Sequence, residues 1–133
     1  MEDRHTVMLD IVGEPTQAFF AVIDGHGGHA AGENGGAFAA GVLLKNRELY
    51  TTDVGDSKAV LSMKGNAITL TNNHHLTTRE DELARIENSG GFLYFHNGVF
   101  RVNGSIDVSR AFGDIHLKDW IISEPEIMKL PLT

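Results

Sequence analysis

Residues 18–28 read Ala18-Phe19-Phe20-Ala21-Val22-Ile23-Asp24-Gly25-His26-Gly27-Gly28. The first part of this stretch is an apolar run with turn-forming residues on both sides, which predicts a buried β-strand. A strand that ends in Asp-Gly-His-Gly-Gly presents its polar groups at the edge of a sheet. Seven of the 15 glycines lie within residues 25–41, and each would cost a helix about 1 kcal/mol relative to alanine. The glycine-rich part is therefore predicted to be a loop.

The rest of the chain alternates short apolar runs with turn residues, a pattern typical of antiparallel strands. Strands are predicted at residues 42–44, 48–53, 58–63 and 67–71, with turns at 45–47 and 64–66. Asn97-Gly98 separates two further runs, 92–95 and 99–102, and is the strongest hairpin signal in the chain. Residues 106–112 and 120–122 indicate a mixture of strand and loop.

One segment has the signature of a helix. Thr78 is a candidate N-cap residue with Asp81 three positions on, and Gly90-Gly91 provides the end of the helix. Leu83 and Ile86 fall on one helical face. This apolar stripe is narrow, so the helix is predicted to lie on a surface.

Length, charge and cysteine content narrow the class of protein. The 133 residues correspond to a single domain, residues 1–133. Because 18 acidic and 11 basic side chains give a net charge of −7, nucleic acid and anionic membrane are disfavoured as partners. The chain has no cysteine, which excludes disulfides and Cys-based zinc sites. No apolar run reaches the length of a signal peptide or a membrane span, so we expect a cytoplasmic or nuclear protein.

Carboxylates are the first candidates for chemistry. Glu2-Asp3 lies near the start, Asp24 ends the apolar strand, and Asp56 lies within Val54-Gly55-Asp56-Ser57. Carboxylate oxygens are hard ligands suited to Mg²⁺ or Mn²⁺, and a glycine after Asp24 lets a backbone carbonyl approach the same ion. Each position also has a plainer interpretation. Asp24-Gly25 can be a turn, Gly55-Asp56 a tight hairpin and Glu2-Asp3 a frayed terminus.

Histidines offer weaker alternatives. His26 and His29 have a spacing that holds zinc on helices, but the intervening Gly27-Gly28 disfavours a helix. His74-His75 follows a strand in a polar turn, where solvent-exposed side chains are expected. The glycine cluster could cradle a phosphate, although no Gly-Lys-Ser/Thr sequence follows it.

Several motifs in a fixed order are more informative than any one of them. They are Met1-Glu2-Asp3, residues 20–28, residues 49–60, residues 81–91, Arg101-Val102-Asn103-Gly104-Ser105, residues 108–114 and Ser123-Glu124-Pro125-Glu126. In this order they resemble the metal-dependent protein phosphatase 2C family over most of the chain. The middle section is most similar to plant members.

The resemblance implies an α+β fold, a β-sandwich of two antiparallel sheets flanked by helices. It also implies two Mn²⁺ or Mg²⁺ ions and a water molecule that attacks the phosphorus of phosphoserine or phosphothreonine. By motif match, the metal ligands would be Glu2, Asp24, the Gly25 carbonyl and Asp56, with Asp3 behind them. Asp24 would bridge both ions, and Asp56 would help to hold a weaker third ion. His26 would be the general acid that protonates the leaving alkoxide, which agrees with imidazole chemistry.

Departures from the family pattern are equally specific. The family's phosphate-binding arginine has no counterpart, so no phosphate-binding residue is assigned. A family segment with two helices is reduced to residues 29–34, followed by Gly35-Gly36-Ala37. The later Asp-Gly and Asp-Asn motifs, which supply further metal carboxylates, are also missing. Asn73 and Leu76 replace an aspartate and a proline, and Asp107 replaces a small apolar residue. We therefore expect an incomplete sandwich that lacks one helical layer and the C-terminal part.

These departures predict a weakened site. Two dications carry four positive charges, and Glu2 and Asp24 offset only part of them, so the second ion should bind poorly. A missing helical layer should leave an apolar patch on the sheet. Three functions stay open: an inactive phosphatase 2C-like protein, an active phosphatase acting on phosphoproteins, or a non-enzymatic module that docks a kinase or a phosphatase.

Overall fold

A computed structural model describes residues 4–9, 17–26 and 35–132 of the chain. These residues form an α+β fold made mostly of antiparallel strands. In chain order the elements are β1 (Arg4–Leu9), β2 (Gln17–His26), β3 (Gly36–Lys45), β4 (Glu48–Val54), β5 (Val60–Met63), β6 (Asn66–Thr69), α1 (Glu80–Asn88), β7 (Leu93–His96), β8 (Val99–Val102), β9 (Phe112–Gly113) and β10 (Glu126–Pro131). Short 3₁₀ turns span Leu76–Thr78 and Ile115–Leu117.

The largest unit is a six-stranded antiparallel sheet. Its strand order is β1-β2-β3-β4-β10, and β9 pairs with the start of β3. The turn between β3 and β4 uses Asn46 and Arg47, both at positive φ (51° and 63°). Two successive residues at positive φ give a turn whose twist matches that of paired strands. The strands predicted on both sides of this turn are confirmed.

The glycine-rich region is not all loop, and this prediction is wrong at both of its ends. β2 continues through Gly25 to His26, and β3 begins at Gly36 and includes Gly41. Glycine is tolerated because β3 is hydrogen-bonded on both sides, which satisfies its backbone. A Cβ atom at Gly41 would lie 3.2 Å from the Phe19 ring and from Thr52, so the small residue also lets side chains pack closely. Residues 27–34 of the predicted loop lie outside the described residues.

Two hairpins follow the main sheet in sequence. β5 and β6 pair with each other, and so do β7 and β8, as predicted. In the second hairpin, Asn97 has a φ of 52° and Gly98 a φ of 78°. Positive φ at both positions is the geometry that Asn-Gly favours.

Replacing Gly98 with alanine is expected to lower the free energy of unfolding by about 1–2 kcal/mol. A Cβ atom there would meet nothing within 4 Å, so the cost comes from the positive φ alone. Urea denaturation followed by circular dichroism measures the change. Asn97→Gly is the matched control, because glycine accepts the same φ, and it should change stability by less than about 0.5 kcal/mol. Equal losses in both variants would contradict this interpretation.

The predicted helix is present, but its start differs from the prediction. Thr78 does not cap it, because its hydroxyl donates to the His75 carbonyl at 3.0 Å within the preceding 3₁₀ turn. Arg79 holds the N-cap position without a side-chain capping bond. The predicted end is confirmed, since Gly90 has a φ of 85° and the Gly91 N–H donates to the Ile86 carbonyl at 2.9 Å.

The apolar core lies beneath α1 rather than within the large sheet. Its fully or almost fully buried members are Leu76, Ile86, Val102, Ala111, Leu117 and Ile121. Phe38 of β3 packs against this cluster and so connects it to the sheet. Ile86 lies on the predicted apolar stripe, and the narrow stripe is sufficient because one helical face alone meets the core.

The expected apolar patch is present on β1 and β2. Large apolar side chains there are between 40% and 66% exposed: Val7, Met8, Leu9, Phe20, Val22 and Ile23. Val7, Leu9, Phe20 and Val22 lie on one face of the β1–β2 pair, whereas Met8 and Ile23 lie on the other. Apolar sheet faces are normally covered by another layer. The described residues thus form an incomplete version of a layered α+β fold.

Candidate functional site

Three predicted site residues are the last three of β2: Asp24, Gly25 and His26. Asp24 is exposed, and Asp56, two residues after β4 ends, is exposed too. Ala39 of β3 pairs with Ile23 on one side and with Val54 on the other. At about 4.8 Å per strand spacing, the ends of β2 and β4 are roughly 10 Å apart. Both carboxylates therefore lie at the same end of the sheet.

The imidazole of His26 contacts the carboxylate of Asp114, which is 88 residues away in sequence. The distance from His26 Nε2 to Asp114 Oδ2 is 2.6 Å. The Asp114 side chain is 5% exposed, whereas that of His26 is 30% exposed. Asp114 has a φ of 45°, and its N–H donates to the Gly35 carbonyl at 2.9 Å. This backbone bond to the start of β3 fixes Asp114 beside the end of β2.

Gly36 makes room for the contact between His26 and Asp114. It pairs with His26 across β2 and β3, and with Gly113 across β3 and β9. A Cβ atom at position 36 would overlap the Asp114 carboxylate and lie 2.7 Å from His26 Nε2. Any larger side chain would therefore have to displace the pair. The His26 ring also packs against Phe38, with ring centroids 4.6 Å apart.

His26 and Asp114 line an open cleft of about 510 Å³. Its other lining residues come from β3, β8 and the segments that flank β9: Phe38, Arg101, Ser105, Ile106, Asp107 and His116. Asp107 lies 3.3 Å from His75 Nε2 at this cleft. The cleft thus brings a histidine–carboxylate pair beside an arginine and a further imidazole.

His74 is fully buried, so the expectation of a solvent-exposed side chain is wrong. Its Nδ1 accepts a hydrogen bond from the Gly55 N–H at 2.9 Å, which places the ring proton on Nε2. Nε2 then donates to Glu126 Oε1 at 3.1 Å. Burial lowers the pKa of His74, and the nearby Arg110 charge lowers it further. His74 is therefore a neutral, hydrogen-bonded core residue.

Glu82 and Glu126 meet three arginines beside His74. Arg110 Nε donates to Glu82 Oε1 at 2.9 Å, and Arg85 Nε donates to Glu82 Oε2 at 2.8 Å. Arg79 Nη2 donates to Glu126 Oε1 at 2.7 Å. Burial alone would raise the pKa of Glu82, but the hydrogen bonds from Arg110 and Arg85 outweigh it and hold the pKa below its usual value. We call these five residues, together with His74, the buried ion-pair cluster.

Three residues of the buried ion-pair cluster are close enough together to be considered as a metal site. The ligand atoms of His74, Glu82 and Glu126 lie within 4.8 Å of one another. Both carboxylates are already bound by guanidinium groups, and a dication would have to displace them at the cost of leaving buried arginines uncompensated. These residues therefore fit an ion-pair cluster that joins α1 to β10 better than they fit a metal ion.

Several predicted residues cannot be compared with the structure. Glu2 and Asp3, and His29 of the zinc alternative, lie outside the described residues. The structure places Asp24, Gly25, His26 and Asp56 at one end of the sheet, and adds Asp114 and Gly36, which the sequence did not assign. Asp114 belongs to the quoted motif of residues 108–114, so its position in that motif was the available signal.

The departures in the turn before α1 are accommodated locally. Asn73 Oδ1 accepts the His75 N–H at 2.8 Å and so stabilises the turn. Leu76 is fully buried in the core. Asp107 pairs with His75 at the cleft. None of these replacements disturbs the described fold.

Comparisons with known proteins agree with the antiparallel α+β fold. The Protein phosphatase 2C family model matches residues 29–133. The chain belongs to the protein phosphatase 2C family. It is 36% identical to "Probable protein phosphatase 2C 32" of Oryza sativa subsp. japonica over 98% of this chain and 44% of that protein. It is also 36% identical to "Probable protein phosphatase 2C 2" of Arabidopsis thaliana, over 96% of this chain and 45% of that protein.

Solved structures share the fold at low sequence identity. A C. elegans sex determining protein superposes with a TM-score of 0.83 and 23% identity, over 99% of this chain and 45% of that chain. The serine-threonine phosphatase 2C of Toxoplasma gondii superposes with a TM-score of 0.79 and 17% identity, over 99% of this chain and 69% of that chain. The chain spans less than half the length of the two plant relatives. In the part of the chain that the structure describes, no helix is long and apolar enough to cross a membrane.

Proposed function

We propose that this chain carries part of a metal-dependent site for hydrolysis of phosphoserine and phosphothreonine in proteins. We propose further that these 133 residues alone hydrolyse such substrates poorly. The observation that carries the proposal is that Asp24, Gly25, His26 and Asp56 all lie at the same end of the sheet. The family relationship supports the choice of reaction.

The donors at this end of the sheet fit Mn²⁺ or Mg²⁺. The Asp24 and Asp56 carboxylates are exposed, and the Gly25 carbonyl adds a third hard oxygen. When bound, such ions lower the pKa of a bound water and neutralise charge on a phosphoryl group. Glu2 and Asp3 are the expected further contributors. The buried ion-pair cluster offers no such accessible oxygen set.

His26 supplies the proton donor in this proposal. Residues 24 and 26 of a strand lie on the same face of the sheet, roughly 7 Å apart along it. A substrate held near Asp24 would therefore lie close to the imidazole at the cleft, where Nδ1, which has no hydrogen-bond partner among the described residues, is the nitrogen left to donate. An imidazole can protonate a leaving alkoxide near neutral pH.

Poor hydrolysis follows from charge. Two dications bring four positive charges. Glu2 and Asp24 are the only carboxylates proposed to bind this pair of ions, since Asp56 is assigned to a weaker third ion. Mutual repulsion between the ions is then poorly offset, so the second ion binds weakly. The retained donors should still bind a single ion.

The test combines metal binding with turnover. Mn²⁺ is expected to broaden the amide NMR signals of residues 23–26, and Asp24→Asn should remove this broadening while Asp107→Asn should not. Hydrolysis of a phosphothreonine peptide with Mn²⁺ is expected to be no faster for the wild-type chain than for Asp24→Asn. Broadening centred on His74 and Glu82 would contradict the metal assignment. Turnover that disappears in Asp24→Asn would instead establish an active phosphatase.

A second candidate is a protein-interaction module that docks a kinase or a phosphatase. The exposed apolar side chains of β1 and β2 favour it, because patches of this kind often mark interaction sites. Retention of such an enzyme from cell extract by the wild-type chain, but not by Phe20→Glu, would support this role. Equal retention by both would count against it.

A further inference from the structure

Three separate parts of the chain converge on the side chain of His26. β2 ends at His26, β3 begins at Gly36, and Asp114 follows β9, which pairs with β3. Asp114 is 5% exposed, and its carboxylate lies 2.6 Å from His26 Nε2. A buried carboxylate needs a hydrogen-bonding partner. At this position the imidazole of His26 provides one.

The two ring nitrogens of His26 differ in their surroundings. Nε2 contacts Asp114, whereas Nδ1 is buried and has no hydrogen-bond partner among the described residues. Asp114 is therefore the hydrogen-bonding group, among the described residues, that determines which nitrogen carries the ring proton, and it fixes how the ring is turned together with the packed Phe38 ring. Acid catalysis depends on both properties.

Gly36 shows that the local backbone is suited to this contact. It lies directly across from His26, and a Cβ atom there would take the space that the Asp114 carboxylate occupies. The φ of Gly36 is not in the positive range. The backbone conformation at this position therefore does not require glycine. Space for the pair is thus the reason for a glycine at position 36.

We propose that Asp114 is a positioning residue that holds the ring of His26 through Nε2, and that Gly36 admits this contact. The proposal rests on the proposed function, in which His26 is the proton donor. Asp114 acts through His26 and is not itself placed on substrate. Asp107 lines the same cleft but pairs with His75, so no such role is assigned to it.

The experiment is an NMR search for the hydrogen-bonded Nε2 proton in the wild-type chain labelled with ¹⁵N-histidine. A short hydrogen bond to a buried carboxylate is charge-assisted. We expect it to give a downfield, slowly exchanging imidazole proton, and His26→Gln should remove this signal and so assign it. Absence of a downfield signal from His26 in the folded wild-type chain would overturn the proposal.

Variants separate positioning from general stability. Asp114→Asn and Gly36→Ala should each abolish the downfield signal while the backbone amide spectrum stays folded. Asp107→Asn and Gly41→Ala, matched controls in the same cleft and the same strand, should retain it. Persistence of the signal in Asp114→Asn would show that another group holds the ring. If Asp114→Asn fails to fold, Gly36→Ala decides the question, because it removes the contact without removing the carboxylate.

The NMR signature needs neither a metal ion nor a substrate. It can therefore be absent while Mn²⁺ binding at Asp24 is observed, which would overturn the positioning role alone. It can also be present while Mn²⁺ fails to bind, which would overturn the metal assignment alone.

Discussion

Replacing Glu82 with alanine is expected to lower the free energy of unfolding by about 3–5 kcal/mol. The Glu82 side chain is 3% exposed and binds Arg85 and Arg110, whose side chains are 28% and 13% exposed. Removing the carboxylate leaves these partly buried guanidinium groups without their counter-charge. Since single domains are stable by only about 5–15 kcal/mol, a loss of this size removes roughly a fifth of the total or more.

The loss would extend beyond one ion pair because both arginines reach other segments. Arg85 donates to the carbonyls of Trp120 and Ser109, and Arg110 donates to the carbonyl of Glu124. Glu82 holds the two guanidinium groups in positions that permit these bonds. We therefore expect residues 109–124 to lose protection from hydrogen exchange in Glu82→Ala.

Urea denaturation of the wild-type chain, Glu82→Ala and Glu87→Ala measures this effect. Glu87 lies on the same helix, is exposed, and should change stability by less than about 0.5 kcal/mol when replaced. Glu82→Gln keeps the shape but loses the charge, and it should fall close to the alanine variant. Similar losses for Glu82→Ala and Glu87→Ala would mean that helix propensity, not the buried ion-pair cluster, sets the result.

The pKa of Glu82 fixes the pH range in which its contribution is present. The arginine hydrogen bonds hold the pKa in the folded state below 4.5. A carboxyl group with a lowered folded pKa stabilises the protein above its unfolded pKa, and the stabilisation is lost as the pH falls through the folded value. The difference in stability between wild type and Glu82→Gln should therefore shrink below pH 4.5.

Features encoded within a few residues could be predicted from the sequence. The Asn97-Gly98 hairpin, the Gly90-Gly91 helix end and the strands around Asn46 all depend on local turn chemistry, and all are present. Thr78 does not cap the helix as predicted, because its hydroxyl is used within the preceding 3₁₀ turn. Local patterns do not reveal such competition between two neighbouring turns.

The site was harder to predict because its contacts join distant parts of the chain. Asp24, Gly25 and His26 can be proposed together from the sequence because they are consecutive and end a predicted strand. Asp114 was missed because it reaches His26 only through the pairing of β9 with β3. His74 was misjudged for a similar reason: its neighbours in sequence are polar, whereas its neighbours in space bury it completely.

Replacing Asp53 with asparagine is expected to stabilise the protein at neutral pH. The pKa of Asp53 is raised from 3.8 to about 6, chiefly by burial and also by the charge of Glu126. A hydrogen bond from the Asn72 backbone and the charges of Arg79 and Arg110 lower it, but they do not compensate. Ionisation of the buried Asp53 carboxyl therefore costs folding free energy on the order of a few kcal/mol at neutral pH. Asparagine has no charge to bury.

The surroundings of Asp53 explain why the neighbouring His74 does not stabilise the ionised carboxylate. Asp53 Oδ2 lies 3.3 Å from His74 Nδ1, but that nitrogen already accepts the Gly55 N–H and carries no proton. Among the described residues, Oδ2 is buried without a hydrogen-bond partner. The short distance is therefore a contact between two acceptors and not an ion pair.

The sign of the pH dependence distinguishes this account from a salt bridge. A carboxyl group with a raised folded pKa contributes stability that is present below its unfolded pKa and is lost as the pH rises through the folded value. The stability of the wild-type chain relative to Asp53→Asn should thus fall as the pH rises from 3.8 to about 6. Chemical denaturation across this range measures the divergence, with the exposed Asp119→Asn as the control that follows the wild type. If Asp53→Asn were instead less stable than the wild type at neutral pH, His74 would have to be protonated and paired with Asp53. The Gly55 N–H could then not donate to Nδ1, so the same result would also require a different backbone arrangement at the end of β4.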